Sequence, residues 1–241
     1  MKFDEKGMII RPEKHFFSSL TDGNIAFKCT YNDMGYKDIC SNEIYEYNKK
    51  AGRIWCNDKN SKCRDFIGRE LSASEFPCYE STLFLHWLFG GGVRRGEKTY
   101  GNPIRIVNAH QNKLAFLTTR NPGDTEKDRY IFGFLHIKNI ANLKDPTGSR
   151  KEINESHFVI GEPEKSLQFN SKVKIPFWNY YRNYKNPDNI QWGTGLFRYL
   201  TDKSVLQILE DLKEEYEKIE NSNGIQIINS QLSRYQNKSF H

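Results

Sequence analysis

Five cysteines, at positions 29, 40, 56, 63 and 78, lie in the first third of this 241-residue chain. A structural zinc site takes four soft ligands, commonly from two close pairs. Only Cys56 and Cys63 are near neighbours here, with six residues between them, looser than a usual knuckle. Cys29 stands in an alternating, strand-like run and reads as a buried thiol. Cys40, Cys56, Cys63 and Cys78 lie near turn-forming polar residues, such as Asn57-Asp58-Lys59-Asn60-Ser61, and could swing round one zinc ion. So polar a region would draw folding energy directly from a metal. Unlinked thiols in a reducing cell are the alternative, and the spacing leaves both open.

A second chemistry is stacking. In FWNYYRNYKNP, residues 177–187, the aromatics Trp178, Tyr180, Tyr181 and Tyr184 alternate with Arg182 and Lys185, and Trp192 follows in QWGTGLFRY. Aromatic faces beside cations suit a nucleic acid: each stacked base is worth roughly 1–3 kcal/mol while the cations meet phosphate. The rival reading places Phe177, Trp178 and Tyr180 in the core, where most single aromatics belong.

The stretch WLFGGGVRRGEKTYG, opening at Trp87, imitates a phosphate loop. Gly91 and Gly96 bracket four residues and Lys98-Thr99 follow, but Glu97 is wedged before the lysine. A true phosphate loop needs a strand before it and a helix after it. Here an apolar helix is expected before and a proline-containing strand after, so nucleotide hydrolysis is rejected. A basic loop is left, in which Arg94, Arg95 and Lys98 could lie along a nucleic-acid backbone, with Arg182, Lys185 and Arg198 in the same role; a solvated loop is the rival. Catalytic signals are poor. The six histidines are scattered, and the charged residues of Pro122–Lys127 sit in one loop. A metal-dependent nuclease needs its carboxylates on neighbouring strands round the ion.

These residues require elements to position them. Leu114–Thr119 and Tyr130–Ile137 read as a hairpin across the polar loop at Asn121-Pro122-Gly123-Asp124. Gly133, inside the second strand, marks a bulge, a barrel corner or the close approach of another backbone. Further strands are expected at Ile25–Tyr31, Ile104–Val107, His157–Ile160, Val173–Ile175 and within Trp192–Tyr199. Asn42–Lys50 reads as a short helix and Tyr79–Phe89 as a buried one, stopped by Gly90-Gly91-Gly92. Spacings of three and four from Val205 to Ile219 predict a last helix over 202–220, with Asp202 as its cap. The tail from Gln226, rich in Asn, Gln and Ser, reads as an extension or linker.

Hydrophobic residues make up 37% and mean hydropathy is −0.76, so the aromatics, at 14%, must supply much of the core. A net charge of +6 and a pI near 8.9 admit a polyanionic partner without requiring one. No run approaches the roughly 18 apolar residues of a membrane span, and MKFDEKGMII lacks the apolar middle of a signal peptide. The expectation is a cytoplasmic protein without membrane partners or a disulfide framework.

The second half resembles the PUA-like superfamily, in particular its EVE and YTH branches. The resemblance rests on Asn112–Leu117 as the first strand, where Gln111-Asn112 replaces those families' glycine-aspartate turn. It rests also on Ile131–Ile137 as the returning strand, on Lys174-Ile175-Pro176-Phe177-Trp178, and on Gly195–Thr201 leading into the final helix. Trp87 followed by Gly92-Val93-Arg94 is similar to an EVE pocket loop. The resemblance implies an α+β fold, a small bent β-barrel flanked by helices. A cysteine-containing N-terminal subdomain (1–78) would precede the barrel domain (79–224) and a tail (225–241). It implies a reader that flips a modified base out of DNA into a pocket walled by Trp87, Trp178, Tyr180, Tyr181 and Trp192. Such readers serve as specificity modules of modification-dependent restriction and defence systems, with the nuclease on another domain or subunit. The alternatives are an RNA-processing or nuclease-type enzyme of the same barrel class, with Lys98, Arg120 or Asp124 in its cleft, and an RNA-binding module.

Overall fold

The computed structural model describes residues 22–53, 55–58, 61, 63–68, 70–72, 75–92, 102–143, 156–183, 186–193 and 195–237. It also gives the backbone of two short paired strands, β1 (Lys2–Phe3) and β2 (Ile9–Ile10). The main sheet has eight strands. Its path runs from β10 (Phe197–Leu200) through β3 (Asn24–Lys28), β5 (Leu114–Thr119), β6 (Tyr130–Leu143) and β7 (Ser156–Gly161) to β4 (Leu88–Gly90). The short strands β8 (Leu167–Gln168) and β9 (Ile175–Pro176) pair with β6 off this path. The β3–β5 pair is parallel and the other pairs are antiparallel. Among the described residues four α-helices accompany the sheet: α1 (Asn42–Lys50), α2 (Leu83–His86), α3 (Asp202–Lys218) and α4 (Ser222–Gln236).

The period-2 alternation of a strand explains how this sheet is buried on both faces. On β5, Leu114 and Phe116 join the core beneath α3 and α4, while Ala115 and Leu117 join a second core with Leu83, Phe84 and Phe89. On β3, Ala26 faces the helices while Ile25 and Phe27 face the other way. The 14-residue β6 serves both halves of the sheet, its first part pairing with β5 and its last with β7. Its register slips by one residue at Phe132 against Leu117/Thr118, and again at Lys138. Such bulges bend a strand and increase its twist. Gly133 stands beside the first slip, and a Cβ there would lie 2.8 Å from both the Leu167 carbonyl oxygen and Phe84 Cζ. The glycine marks a close approach as well as a bend.

Several sequence expectations change. The sheet is mixed, and among the described residues β10 and β4, at its two ends, are not paired with each other, so the sheet is not closed there into the expected barrel. Tyr79–Phe89 is not one helix. Trp87 takes left-handed geometry (φ 51°), which ends α2 after one turn and sends the chain into β4. Ile104–Val107 forms no strand. Thr201, not Asp202, caps α3, its side chain accepting from Ser204 N. Asp202 instead forms an ion pair with Lys113 at 2.5 Å and accepts from Asn24 Nδ2 at 2.7 Å, fastening the helix to the starts of β3 and β5. Residues 225–236, read as the start of a tail, belong to α4, whose Ile228, Leu232 and Tyr235 are buried. Residues 24–28, placed in a separate N-terminal subdomain, form a strand inside the main sheet.

Candidate nucleic-acid pocket

A cavity of about 370 Å³ opens on the sheet face opposite α3 and α4. Three segments distant in sequence build its wall. The first continues β3. Lys28 N bonds Leu196 O at 2.9 Å and Cys29 N bonds Thr118 O at 2.8 Å, so Lys28, Thr30 and Tyr31 leave the sheet in a fixed direction. The second is the C-terminus of α1. Gly52 N donates to Lys49 O and Arg53 N to Asn48 O, both at 2.9 Å, with Gly52 at φ 70°. This is a Schellman cap, which spends the last carbonyls of the helix and turns Arg53 to the wall. Asn48 Nδ2 bonds Tyr31 O at 3.2 Å, joining the first two segments. Trp55 follows, its Nε1 donating to Pro77 O at 3.3 Å.

The third segment is the turn before α2. Ser81 Oγ donates to Cys78 O at 2.9 Å and Thr82 Oγ1 donates to the same carbonyl at 3.3 Å. This folds Cys78-Tyr79-Glu80 against the cavity. Thr30 N donates to Glu80 Oε1 at 3.1 Å. Burial raises the Glu80 carboxyl above its ordinary pKa, opposed by the amide and hydroxyl of Thr30, the residue's own amide and the Arg53 charge. On the floor, Gly91 N donates to His157 O at 2.8 Å. A Cβ at Gly91 would lie 2.3 Å from Ile104 O, so only glycine permits that wall. Tyr31, Trp55, Tyr79 and Phe89 give the cavity its aromatic lining.

The aromatic residues singled out in the sequence come together elsewhere. Tyr180 (2% exposed) and Trp192 (1% exposed) lie in the core beneath the helices, with Trp178 and Tyr181 packed against it, and none of the four lines the cavity. Trp192 is flanked by two guanidinium groups, Arg129 at 4.9 Å and Arg198 at 5.2 Å from its ring centroid. Arg129 is itself buried and holds Glu126 through two nitrogens, and Trp178 Nε1 donates to Glu126 O at 2.6 Å. These side chains therefore brace a buried ion pair. Trp87 packs edge-on to Phe84 at 5.3 Å, beside the second core. Arg198 is half-buried over Trp192, and Arg182 is exposed. Arg94, Arg95, Lys98 and Lys185 lie outside the described residues. Asp124 accepts from the amide and side chain of Asn121 at 3.1 and 2.7 Å, closing its own loop.

Three of the four candidate zinc ligands, Cys40, Cys56 and Cys78, line the cavity. Cys63 is buried, its sulfur accepting from Ser61 Oγ at 3.5 Å, and Arg64 Nη2 donates to the Cys40 sulfur at 3.2 Å. Burial pushes the Cys56 thiol up to about 12 and Cys78 well above its ordinary value, so neither is a thiolate nucleophile at neutral pH. Among the described residues no three His, Cys, Asp or Glu side chains stand close enough to hold an ion as placed. No helix among them is long and apolar enough to cross a membrane.

Sequence reasoning passed over Lys28, Arg53, Tyr31, Trp55, Tyr79 and Glu80. Their one shared signal was proximity to cysteines: Lys28 precedes Cys29, Trp55 precedes Cys56, and Tyr79-Glu80 follow Cys78. An aromatic, partly charged cavity of this size is suited to one planar ring bearing polar edges, at the small end of the roughly 300–1,000 Å³ range of ligand pockets. No family model, no curated protein and no solved structure matches the chain.

Proposed function

We propose that this protein is a reader of a modified base, extruded from DNA into the cavity between β3, α1 and the Cys78–Glu80 turn. The observation that carries the reading is the pairing of aromatic walls with one buried carboxylate held by a backbone amide. A base leaving the duplex loses stacking, and aromatic faces return it. A carboxylate in the wall accepts hydrogen bonds from the amino or imino edge of the base and gives the site a chemical preference. A methyl or hydroxymethyl substituent adds surface that a tight pocket can favour over the bare ring. The two bulges on β6, the glycine-bearing β5–β6 hairpin and the passage of β10 into α3 support placement among PUA-like, EVE- or YTH-type folds. On this reading the chain binds without turnover and a nuclease is supplied by another domain or subunit.

The reading includes a structural zinc ion at Cys40, Cys56, Cys63 and Cys78, whose binding would draw the four sulfurs together. The cavity wall shared by Cys40, Cys56 and Cys78 supports it. The functional test is binding to matched DNA and RNA oligonucleotides, bare or carrying methylated or hydroxymethylated bases. A preference for one modified DNA base is expected; equal affinity for every probe, or cleavage of any probe by the chain alone with Mg2+, contradicts the reading.

A further inference from the structure

The cavity carries more positive charge than its own carboxylates balance. Lys28 and Arg53 both open onto it. Burial holds each below its ordinary pKa, with further lowering by Arg120 and Arg129. The carboxylates facing this group are Glu80 and Glu126. Glu126 is committed to Arg129 through two nitrogens and lies 4.0 Å from Arg120. Glu80 accepts from Thr30 N and also faces the Arg53 charge. Four cations thus meet two carboxylates, and the cavity wall itself sets Lys28 and Arg53 against the single carboxylate of Glu80. Lys28 has no hydrogen bond or ion pair from its ammonium, and the buried Nε of Arg53 has no hydrogen-bond partner, among the described residues.

A partly buried cation without a full set of partners is destabilised by lost hydration, and an anion relieves it. Glu126 offsets part of this loss at Lys28 and Glu80 part of it at Arg53, and an anionic ligand would offset more. A guanidinium fork beside an ammonium also matches the oxygens of a phosphate group. We infer that Lys28 and Arg53 seat an anionic group carried by the ligand, the phosphate joined to the nucleotide whose base enters the cavity. The site then takes a phosphorylated nucleotide and discriminates against a bare base or nucleoside. The inference rests on the base-reading function and identifies a part of that site the aromatic walls do not explain. Two sources share this chemistry, a phosphodiester within a strand and a free nucleoside monophosphate.

The experiment uses the full chain in two arms. In the first, calorimetric titration compares deoxycytidine monophosphate, deoxyadenosine monophosphate and their 5-methyl and N6-methyl forms with the matching nucleosides. In the second, oligonucleotides carrying the same bases bear neutral methylphosphonates either flanking the test base or several nucleotides away. Each arm is repeated with Arg53→Met and with Lys28→Met, whose melting temperatures report folding. Loss of one charged hydrogen-bonding partner is expected to weaken binding by about tenfold or more. That loss should follow from the missing phosphate in the first arm, or from flanking but not remote neutralisation in the second, and should shrink to about twofold or less in folded variants. Loss in the first arm identifies a free nucleotide as sufficient; loss in the second alone identifies a strand. Equal binding of monophosphate and nucleoside, with equal effects of flanking and remote neutralisation, overturns the inference. A phosphate effect without any preference among bases keeps the anion seat and removes the base-reading function.

Discussion

The Thr30 amide and Glu80 Oε1 stand 3.1 Å apart, and their bond ties the end of β3 to the turn before α2 across 50 positions of sequence. It fixes a carboxylate on the wall of an aromatic cavity and lets that carboxylate stay buried without an ion pair. Glu80→Gln keeps the shape and an acceptor for Thr30 but removes the charge. Binding of the preferred oligonucleotide should weaken by about tenfold or more, the scale of a lost charged hydrogen bond, while the melting temperature stays within a few degrees of the parent. Unchanged affinity would free Glu80 from any role in recognition.

The two tryptophan groups should separate cleanly. Trp192→Ala empties the core under α3 and α4 and exposes the Arg129–Glu126 pair, so it should cost roughly 3–5 kcal/mol of stability. Trp55→Ala lies on the cavity wall; it should leave the fold standing and cost roughly 1–3 kcal/mol of binding. Denaturant melts and fluorescence anisotropy measure both. A stable Trp192→Ala protein with lost binding would reverse the assignment.

His136 supplies a pH dependence of stability. It is buried on β6, with Gln231 and Arg234 from α4 beside it and Glu162 and Lys165 from the turn after β7. Burial, then the Arg234 charge, lowers its pKa to about 4. The unfolded chain takes up a proton near pH 6.5 that the folded chain refuses until about 4. Stability from this residue is therefore complete above pH 6.5 and falls as pH drops through that window, by at most about 3 kcal/mol. Denaturant melts between pH 7 and 4 should show a smaller decline in His136→Gln than in the parent; equal declines would assign the effect to other groups.

If Cys40, Cys56, Cys63 and Cys78 hold zinc, purified protein should contain about one equivalent and a chelator should lower its melting temperature. Elemental analysis free of zinc, with full binding, would remove the ion from the account.

How much of this was legible in the sequence follows from where each signal lay. The β5–β6 hairpin was readable because both strands are apolar runs, and Gly133 announced the bulge that bends β6. The helix α3 was readable from its three–four spacing, while α4 was hidden by Asn, Gln and Ser around the same spacing at Ile225, Ile228, Leu232 and Tyr235. Trp87 offered no warning, because left-handed geometry at a tryptophan has no sequence signature. The cavity was illegible for a topological reason. Lys28, Arg53 and Glu80 meet because β3 inserts beside β5 and because α1 and the Cys78 turn fold back on its end. The dense aromatic run at 177–192 drew attention to stacking but was spent on packing round Arg129.

The central claim is that an extruded base enters the cavity of Tyr31, Trp55, Tyr79 and Glu80, and photo-crosslinking tests it most directly. An oligonucleotide carrying 5-iodocytosine at the test position is irradiated in complex with the full chain, and the joined peptide is identified by mass spectrometry. The account predicts attachment at Tyr31, Trp55 or Tyr79, lost when an excess of the preferred modified oligonucleotide competes. Attachment at Trp178, Tyr181 or Trp192 under the same competition would contradict it and return the pocket to the aromatic run.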